Sequence, residues 1–272
     1  MLSSRDHGPV RYFSLARSYM GRSLLTSGVY YVDGALIDSG PANAHVEFAS
    51  IIGGVDAEQL VLTHHHEDHV GNAGFAAKHL DRSPLAHALA LSLVRNPRPL
   101  PFYRQMTWGT PEPFEAEALG DTLPTRNHVF RVMHTPGHAP DHVTLHEPEQ
   151  RWLFTGDLFI ARRLAVATRD EDVTALMASL RSLLELPDCT MFCQHSGIHR
   201  SHQKALGSKL DFLLGLQNKA VTMHEEGCNV AEITRQLGIE RASVKLVSRG
   251  EMSARNLVDG LLRDAGVDND HD

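Results

Sequence analysis

The sequence has few of the features that mark secreted, membrane-spanning or nucleic-acid-binding chains. Three cysteines in 272 residues argue against a disulfide scaffold and agree with a reducing compartment such as the cytoplasm. The opening residues, MLSSRDHGPV, lack the apolar core of a secretory signal, and no apolar run approaches the ~20 residues that a spanning helix needs. A formal net charge of −7 argues against a general nucleic-acid or membrane surface.

Histidine, in contrast, is abundant, with 18 residues in the chain. Four of them lie in THHHEDHVGNAG (63–74), directly after the apolar run QLVL, which predicts a buried strand. His64 and His66 point the same way if the backbone stays extended, so both imidazoles can reach one ion. Asp68 and His69, after the chain turns, can reach a second ion nearby. Neutral imidazole and carboxylate suit Zn²⁺ best, and Mn²⁺ or iron acceptably.

Three later segments repeat this arrangement of a predicted strand followed by a turn. MHTPGHAPDH carries His138, LFTGD ends in Asp157, and FCQHSG carries His195. His199 is a rival to His195, although His195 lies closer to the predicted strand end. Four such segments, each delivering an imidazole or a carboxylate, predict a shared metal site.

Strand patterns alternate with helical patterns along most of the chain, and this predicts layers of helix covering two sheets. A proline-rich stretch at 97–113 predicts a long surface loop near a site. Helices separated by glycine follow residue 202, so we predict one domain at 1–202, which carries the metal-site segments, and a helical subdomain at 203–272. The last five residues, 268–272, are predicted to be disordered.

The order T-H-x-H-x-D-H, T-P-G-H, T-G-D and a late strand-end histidine resembles the metallo-β-lactamase fold superfamily over residues ~10 to 200. Within it the chain is more similar to glyoxalase II and the lactamase-beta-2-like hydrolases than to true β-lactamases. True β-lactamases carry a cysteine in place of Asp157 and a secretion signal. The resemblance implies an αββα sandwich with a two-metal site at one edge of the sheets. It also implies a C-terminal, winged-helix-like cap.

Carried over residue by residue, the resemblance implies two ligand sets. His64, His66 and His138 would hold one metal; Asp68, His69 and His195 would hold the other, with Asp157 bridging. Two divalent ions, with Zn²⁺ favoured and Mn²⁺ or iron as alternatives, would then hold a shared hydroxide that Asp68 orients. The expected activity is metal-dependent hydrolysis.

Several neighbouring residues are assigned other roles. His65 and Glu67 lie between ligands and are expected at the surface or behind the ligands. His142 has two open readings, support of a ligand or proton shuttling. Phe102, Tyr103 and Trp108 could line an apolar pocket for an acyl group. No complete glutathione-binding set can be matched, which disfavours S-glutathione thioesters.

The preferred substrate is a small thioester or lactone, because the acidic chain would repel a polyanion. Phosphodiester or RNA cleavage at the same site is one alternative, and a mononuclear-iron persulfide dioxygenase is another. A third is a regulatory ligand- or DNA-binding module, since residues 230–250 resemble a helix-turn-helix with Gly238 in the turn. The expected partner is therefore a small molecule, with neither nucleic acid nor membrane, and a homodimer is left open.

Overall fold

The computed structural model of the protein describes residues 2–19, 22–163 and 165–267. These residues form two compact units. The first contains residues 1–134, 140–157 and 190–200, and the second contains residues 135–139, 158–189 and 201–272. The segment 268–272, predicted to be disordered, lies outside the described residues. The functional boundary predicted at residue 202 remains a prediction, because compactness alone does not assign a function to a unit.

Thirteen strands belong to the first unit and two to the second, among the residues that the structure describes. The strands are β1 (Leu2–His7), β2 (Val10–Tyr19), β3 (Arg22–Val32), β4 (Ala35–Ile37), β5 (Gln59–Val61), β6 (Leu85–Ala86), β7 (Glu117–Ala118), β8 (Thr122–Pro124), β9 (Val129–His134), β10 (Val143–Glu147), β11 (Trp152–Phe154), β12 (Ala167–Thr168), β13 (Thr190–Cys193), β14 (Gly197–His199) and β15 (Met252–Ser253).

Ten α-helices and one 3₁₀ turn (Ala42–Ala44) connect these strands in the described part of the chain. The helices are α1 (His45–Gly53), α2 (Glu67–Val70), α3 (Ala73–Leu80), α4 (Ala90–Arg95), α5 (Phe102–Trp108), α6 (Val173–Leu184), α7 (His202–Glu225), α8 (Val230–Leu237), α9 (Ala242–Val247) and α10 (Ala254–Asp264). No helix among the described residues is long and apolar enough to cross a membrane.

The first sheet contains seven strands in chain order, β1 to β7. Strands β1 to β4 are antiparallel neighbours, and β4 to β7 are parallel neighbours. Side chains alternate between the two faces of a strand, and here both faces are buried. Val29 packs into the cluster that contains α1, whereas Tyr30 and Val32 pack into the cluster between the sheets.

The second sheet has the order β14-β13-β11-β10-β9-β8. Its neighbours are antiparallel except for β11 and β13, which are parallel. Phe130, Leu145, Phe154 and Phe192 from this sheet lie in one buried cluster with residues of the first sheet. The two sheets therefore share a core, and α1, α3 and α4 contribute to a separate cluster on the other face of the first sheet.

The second unit is mainly helical, and this confirms the predicted C-terminal helical region. Gln217 on α7 donates to the Leu261 carbonyl and to Asp264 Oδ2 on α10, at 2.9 and 2.8 Å. Gly238 ends α8 in the left-handed conformation (φ 63°), as the predicted turn requires. β15 pairs with β12 over two residues.

The mixed α/β class with two facing sheets is confirmed, but the proline-rich segment is not the structureless loop that the sequence predicted. It contains α5, which begins after Pro101 and ends before Gly109. A proline just before a helix costs nothing, because the first helical N–H groups have no partner within the helix. The seven residues between Pro101 and Gly109 include neither proline nor glycine, so they can complete two turns.

Candidate metal centre

The motif loop leaves the sheet at the end of β5 and turns into the short helix α2. His66 is the residue before α2 and has extended geometry (φ −64°, ψ 147°), so the chain changes direction between His66 and Asp68. Gly71 then closes the turn. A Cβ at this position would lie 2.2 Å from the backbone nitrogen of Ala42, so only glycine allows the two segments to approach this closely.

Four of the predicted ligands converge in the first unit: Asp68, His69, Asp157 and His195. Each offers one ligand atom, and these atoms all lie within 4.8 Å of one another. His195 Nε2 lies 3.2 Å from Asp68 Oδ2 and 3.0 Å from Asp157 Oδ2. His69 Nε2 lies 3.2 Å from Asp157 Oδ1. Three chain segments thus bring two imidazoles and two carboxylates to one point.

The parallel pairing of β11 with β13 explains why Asp157 and His195 meet. Phe154 on β11 pairs with Phe192 on β13, and each strand runs on into a turn that carries the ligand. Parallel strands end at the same edge of a sheet, so the two side chains arrive together. The Thr26 carbonyl lies 2.6 Å from His195 Nδ1 and accepts its hydrogen, which leaves Nε2 to face the carboxylates.

Charge interactions dominate the titration of this cluster. Burial alone would raise the pKa of Asp157, but His195 and His69 hold it well below its ordinary value. Burial alone would lower the pKa of His69, but the carboxylates of Asp157 and Asp38 raise it well above its ordinary value. The carboxylates are therefore ionised at neutral pH and provide the negative charge that a divalent cation needs.

The donor set fits a divalent metal. His69 Nε2 is buried and has no hydrogen-bond partner among the described residues, although it lies beside Asp157. A buried polar atom without a partner costs about 1–3 kcal/mol, so an orphan that faces carboxylates is expected where a ligand belongs. Imidazole and carboxylate together suit Zn²⁺, Mn²⁺ or iron and do not distinguish between them.

His64 and His66 also converge within the first unit. His64 Nε2 lies 3.0 Å from His66 Nδ1, so one nitrogen of each ring points to the same position. Thr63 Oγ1 lies 3.1 Å from His64 Nδ1 and fixes that ring from behind. The extended backbone anticipated for this pair is present at His66.

His138 lies in the second unit, where its Nδ1 is 2.6 Å from Glu171 Oε1. The other oxygen of Glu171 accepts the backbone N–H of Thr168 at 2.8 Å, so the carboxylate is itself held in place. Pairing with a carboxylate is typical of histidines that bind metal. The assignment of His138 to the first metal remains a prediction, as do the ligand roles of the other six residues.

Asp38 is an important residue that the sequence analysis missed. It follows β4, is fully buried, and has left-handed backbone geometry (φ 62°). Its Oδ2 lies 2.8 Å from His69 Nδ1 and accepts a hydrogen bond from Gln194 Nε2 at 2.7 Å. Its Oδ1 accepts the Thr63 backbone N–H at 2.8 Å. One carboxylate therefore ties the motif loop to the turn that carries His195.

His142 also supports the ligands. Its Nε2 accepts the backbone N–H of Asp157 at 3.1 Å, and its side chain is fully buried. Because Nε2 is an acceptor here, the neutral ring carries its proton on Nδ1. Of the two readings that the sequence left open, this geometry favours support of a ligand over proton shuttling.

The two residues between the ligands do not lie free at the surface. Glu67 is 3% exposed, and Arg104 on α5 donates to both of its oxygens, at 2.6 and 2.7 Å. The surface alternative for Glu67 was therefore wrong, because an arginine far along the chain neutralises its charge. His65 pairs with the buried Asp141 at 2.7 Å.

His199 does not join the cluster described above. His199 is on the short strand β14, and its Nε2 lies 2.8 Å from the hydroxyl of Ser196. His195 is the histidine that reaches Asp68 and Asp157. The structure thus brings His195, at the strand end, beside the two carboxylates, whereas His199 lies on β14 of the adjacent hairpin.

Comparison with known proteins agrees with this geometry. The profile of the metallo-beta-lactamase superfamily matches residues 29–195, which is more than half of the chain. The chain therefore belongs to the metallo-beta-lactamase superfamily. A solved beta-lactamase domain protein from Burkholderia ambifaria superposes with a TM-score of 0.72 at 16% identity, covering 97% of this chain and 88% of that one. At this identity the likeness concerns the fold alone.

Two curated relatives cover the motif region. A probable metallo-hydrolase of Bacillus subtilis (strain 168) is 32% identical over 126 residues, which are 45% of this chain and 54% of that protein. A hydroxyacylglutathione hydrolase of Cereibacter sphaeroides (strain ATCC 17029) is 32% identical over 139 residues, which are 50% of this chain and 46% of that protein. The chain spans about half the length of these relatives.

Proposed function

We propose that the protein is a metal-dependent hydrolase of a small thioester or lactone. The observation that carries the proposal is the convergence of Asp68, His69, Asp157 and His195, with the orphaned His69 Nε2 among them. In this proposal the nucleophile is a metal-activated water, and no serine or cysteine side chain attacks the substrate. We place the reaction in a reducing cytoplasm, in accordance with the three free cysteines.

The proposed centre holds two divalent ions, most simply Zn²⁺. His64, His66 and His138 would hold one ion, and Asp68, His69 and His195 the other, with Asp157 shared between them. When bound, such ions lower the pKa of a water molecule toward ~7 and polarise the oxygen that gains charge.

The chain's own groups orient that chemistry. Asp68 Oδ2 lies 3.2 Å from His195 Nε2, and in this proposal the Asp68 carboxylate accepts a hydrogen bond from the attacking water and so orients it. Asp38 and the Thr26 carbonyl fix the two imidazoles from behind, so neither ring has to rotate during turnover. Such preorganisation is where most of a rate enhancement of this kind originates.

The acyl class is preferred for two reasons. A related protein bears the name hydroxyacylglutathione hydrolase, and that name gives an acyl compound as its substrate. The net charge of −7 works against a polyanionic substrate such as RNA, whose affinity depends on phosphate contacts. Glutathione itself is not part of the proposal, because the sequence provides no complete binding set for it.

A substrate panel tests the proposal. Acyl thioesters of coenzyme A and of simple thiols, homoserine-type lactones, bis-p-nitrophenyl phosphate and single-stranded RNA are incubated with protein loaded with zinc or manganese. We expect turnover of at least one acyl substrate and its loss in Asp157→Ala. Turnover of the phosphorus substrates alone would overturn the acyl assignment and favour a phosphodiesterase. One iron per chain with oxygen consumption would instead favour a dioxygenase.

A further inference from the structure

Helix α5 has two faces with different properties. Phe102 is 72% exposed and Met106 is 55% exposed, and they are one helical turn apart on the same face. Arg104 and Trp108 are also one turn apart and lie on the opposite face, because two residues correspond to about 200° of rotation. This second face contacts two parts of the site, because Arg104 pairs with Glu67 on the motif loop and Trp108 lies beside His195 on the turn after β13.

The first contact of that inner face is with the metal loop. Arg104 makes a two-pronged ion pair with Glu67, the residue between the predicted ligands His66 and Asp68. The Glu67 side chain is 3% exposed and that of Arg104 is 20% exposed. A guanidinium that donates to both oxygens of a carboxylate fixes direction as well as distance. The ion pair therefore sets where α5 lies relative to the loop.

The second contact places an aromatic surface beside the cluster. The ring centroids of Trp108 and His195 are 6.3 Å apart with an interplanar angle of 51°. Trp108 is only partly buried, so some of its ring faces solvent next to a predicted metal ligand. His195 belongs to the cluster of two imidazoles and two carboxylates, so the indole presents a large apolar surface beside this polar cluster.

We propose that Trp108 binds the apolar acyl chain of the substrate, and that Arg104 is a positioning residue that fixes Trp108 through Glu67. This inference rests on the proposed function and narrows it to acyl groups long enough to reach the indole. When the carboxylate or ester group of the substrate is directed to the metal centre, its acyl carbon atoms can pack on the indole of Trp108. Burying each added CH₂ strengthens binding, until the ring is covered.

Fluorescence can isolate this residue, because the chain has two tryptophans and Trp152 is buried in the core between the sheets. In zinc-loaded Trp152→Phe protein, emission comes from Trp108 alone. Titration with octanoate is expected to shift this emission with saturation, and acetate is expected to leave it unchanged. An identical response to both acids, or none to either, would overturn the proposal.

Calorimetry then separates the acyl contact from general damage. In Trp108→Ala we expect the dissociation constant of octanoate to rise roughly tenfold and that of acetate to stay within about twofold. Phe102→Ala is the matched control, since it removes an exposed aromatic ring from the outer face of the same helix, and octanoate affinity should be unchanged. Equal losses for both acids in Trp108→Ala would contradict the assignment.

Arg104 is tested by the ratio of the two affinities. Arg104→Gln should lower the preference for octanoate over acetate while zinc content stays the same, and Arg104→Lys should restore part of it. A variant that merely loosens the fold would weaken the binding of octanoate and of acetate equally. These are binding measurements, so they stand even if the panel finds no thioester turnover. In that case the proposed function fails and the acyl site survives.

Discussion

The Nε2 atom of His142 accepts the backbone N–H of Asp157, and a Cβ on the intervening Gly156 would lie 2.4 Å from that same nitrogen. Gly156 also has φ 46°, a conformation that side chains with a Cβ rarely adopt. The T-G-D motif therefore requires glycine for two reasons, of which the sequence indicated only the turn.

Gly156→Ala is consequently expected to displace either His142 or the Asp157 turn. We expect a loss of roughly 1–3 kcal/mol in the free energy of unfolding, together with reduced zinc content. Denaturant unfolding and elemental analysis measure both effects. Gly120→Ala is the control, because nothing lies within 4 Å of a Cβ at that position. Unchanged stability and metal content in Gly156→Ala would show that the turn is not constrained in this way.

Asp38→Asn should weaken metal binding without removing a ligand. The amide keeps the shape and the tolerance of left-handed geometry, but it loses the negative charge behind His69 and one acceptor. Loss of a partner of this kind typically costs 10–100-fold in metal affinity, and a competitive chelator titration measures it. Asp33→Asn, at another left-handed aspartate (φ 51°) in the turn between β3 and β4, should not change zinc affinity. Equal affinities in the two variants would argue against the role of Asp38.

The purified protein should contain close to two divalent metals per chain. His66→Ala should lose about one equivalent, whereas Asp157→Ala should lose more, since it removes the carboxylate that we propose is shared by both sites. Inductively coupled plasma mass spectrometry on protein never exposed to chelator decides this. No metal in such protein would refute the centre itself, and one equivalent of iron would favour the mononuclear alternative.

Tyr30 makes stability depend on alkaline pH. Its phenol is buried and donates to the Cys193 carbonyl at 2.8 Å, and burial raises its pKa well above the ordinary value. This contribution is complete below the unfolded pKa of about 10 and is lost as pH rises toward the folded pKa. Tyr30→Phe should therefore cost about 1 kcal/mol at pH 8, and its disadvantage should shrink above pH 10.

Urea unfolding at several pH values tests that window. The neighbouring Tyr31→Phe serves as the control, because Tyr31 lies on the other face of β3 and is only partly buried. Wild type and Tyr31→Phe should lose stability together above pH 10, whereas Tyr30→Phe should lose less. Parallel curves for all three proteins would show that Tyr30 does not cause the alkaline loss.

Much of the first unit could be predicted because its signals are local. Strands β9, β10 and β11 correspond to apolar runs that are separated by turn residues. The motif histidines come shortly after β5. The two sheets covered by helices were predicted from strand patterns that alternate with helical patterns along the chain. In the structure, Val29 and Tyr30 on β3 pack into the two different clusters on either side of the first sheet. Strand β1 was not predicted, since all six of its residues are exposed and it has no apolar pattern. β1 is a strand because its backbone pairs with that of β2, and this pairing leaves no pattern in the sequence of β1.

The supporting groups around the ligands could not be predicted, because they act over long sequence distances. Asp38 looks like a turn residue in ALIDSG, and its link to Gln194 exists only after the sheets meet. The Glu67–Arg104 pair likewise requires α5 to fold against the loop. The predicted metal ligands occur at a recognisable spacing in the sequence. A carboxylate that supports a ligand has no such spacing, and in the sequence it looks like any other acidic residue in a turn. Only the structure distinguishes Asp38 from Asp33.

The parallel pairing of β11 and β13 also has a consequence for how the protein matures. During synthesis the motif loop is available long before His195 is made, and β13 adds to β11 only after α6 has been completed. Loop closure over such a span is slow compared with formation of local structure. If the proposed ligand roles hold, the nascent chain presents His64, His66 and His69 as an incomplete set of ligands, and the set is completed only when the pairing of β13 with β11 brings His195 beside Asp157.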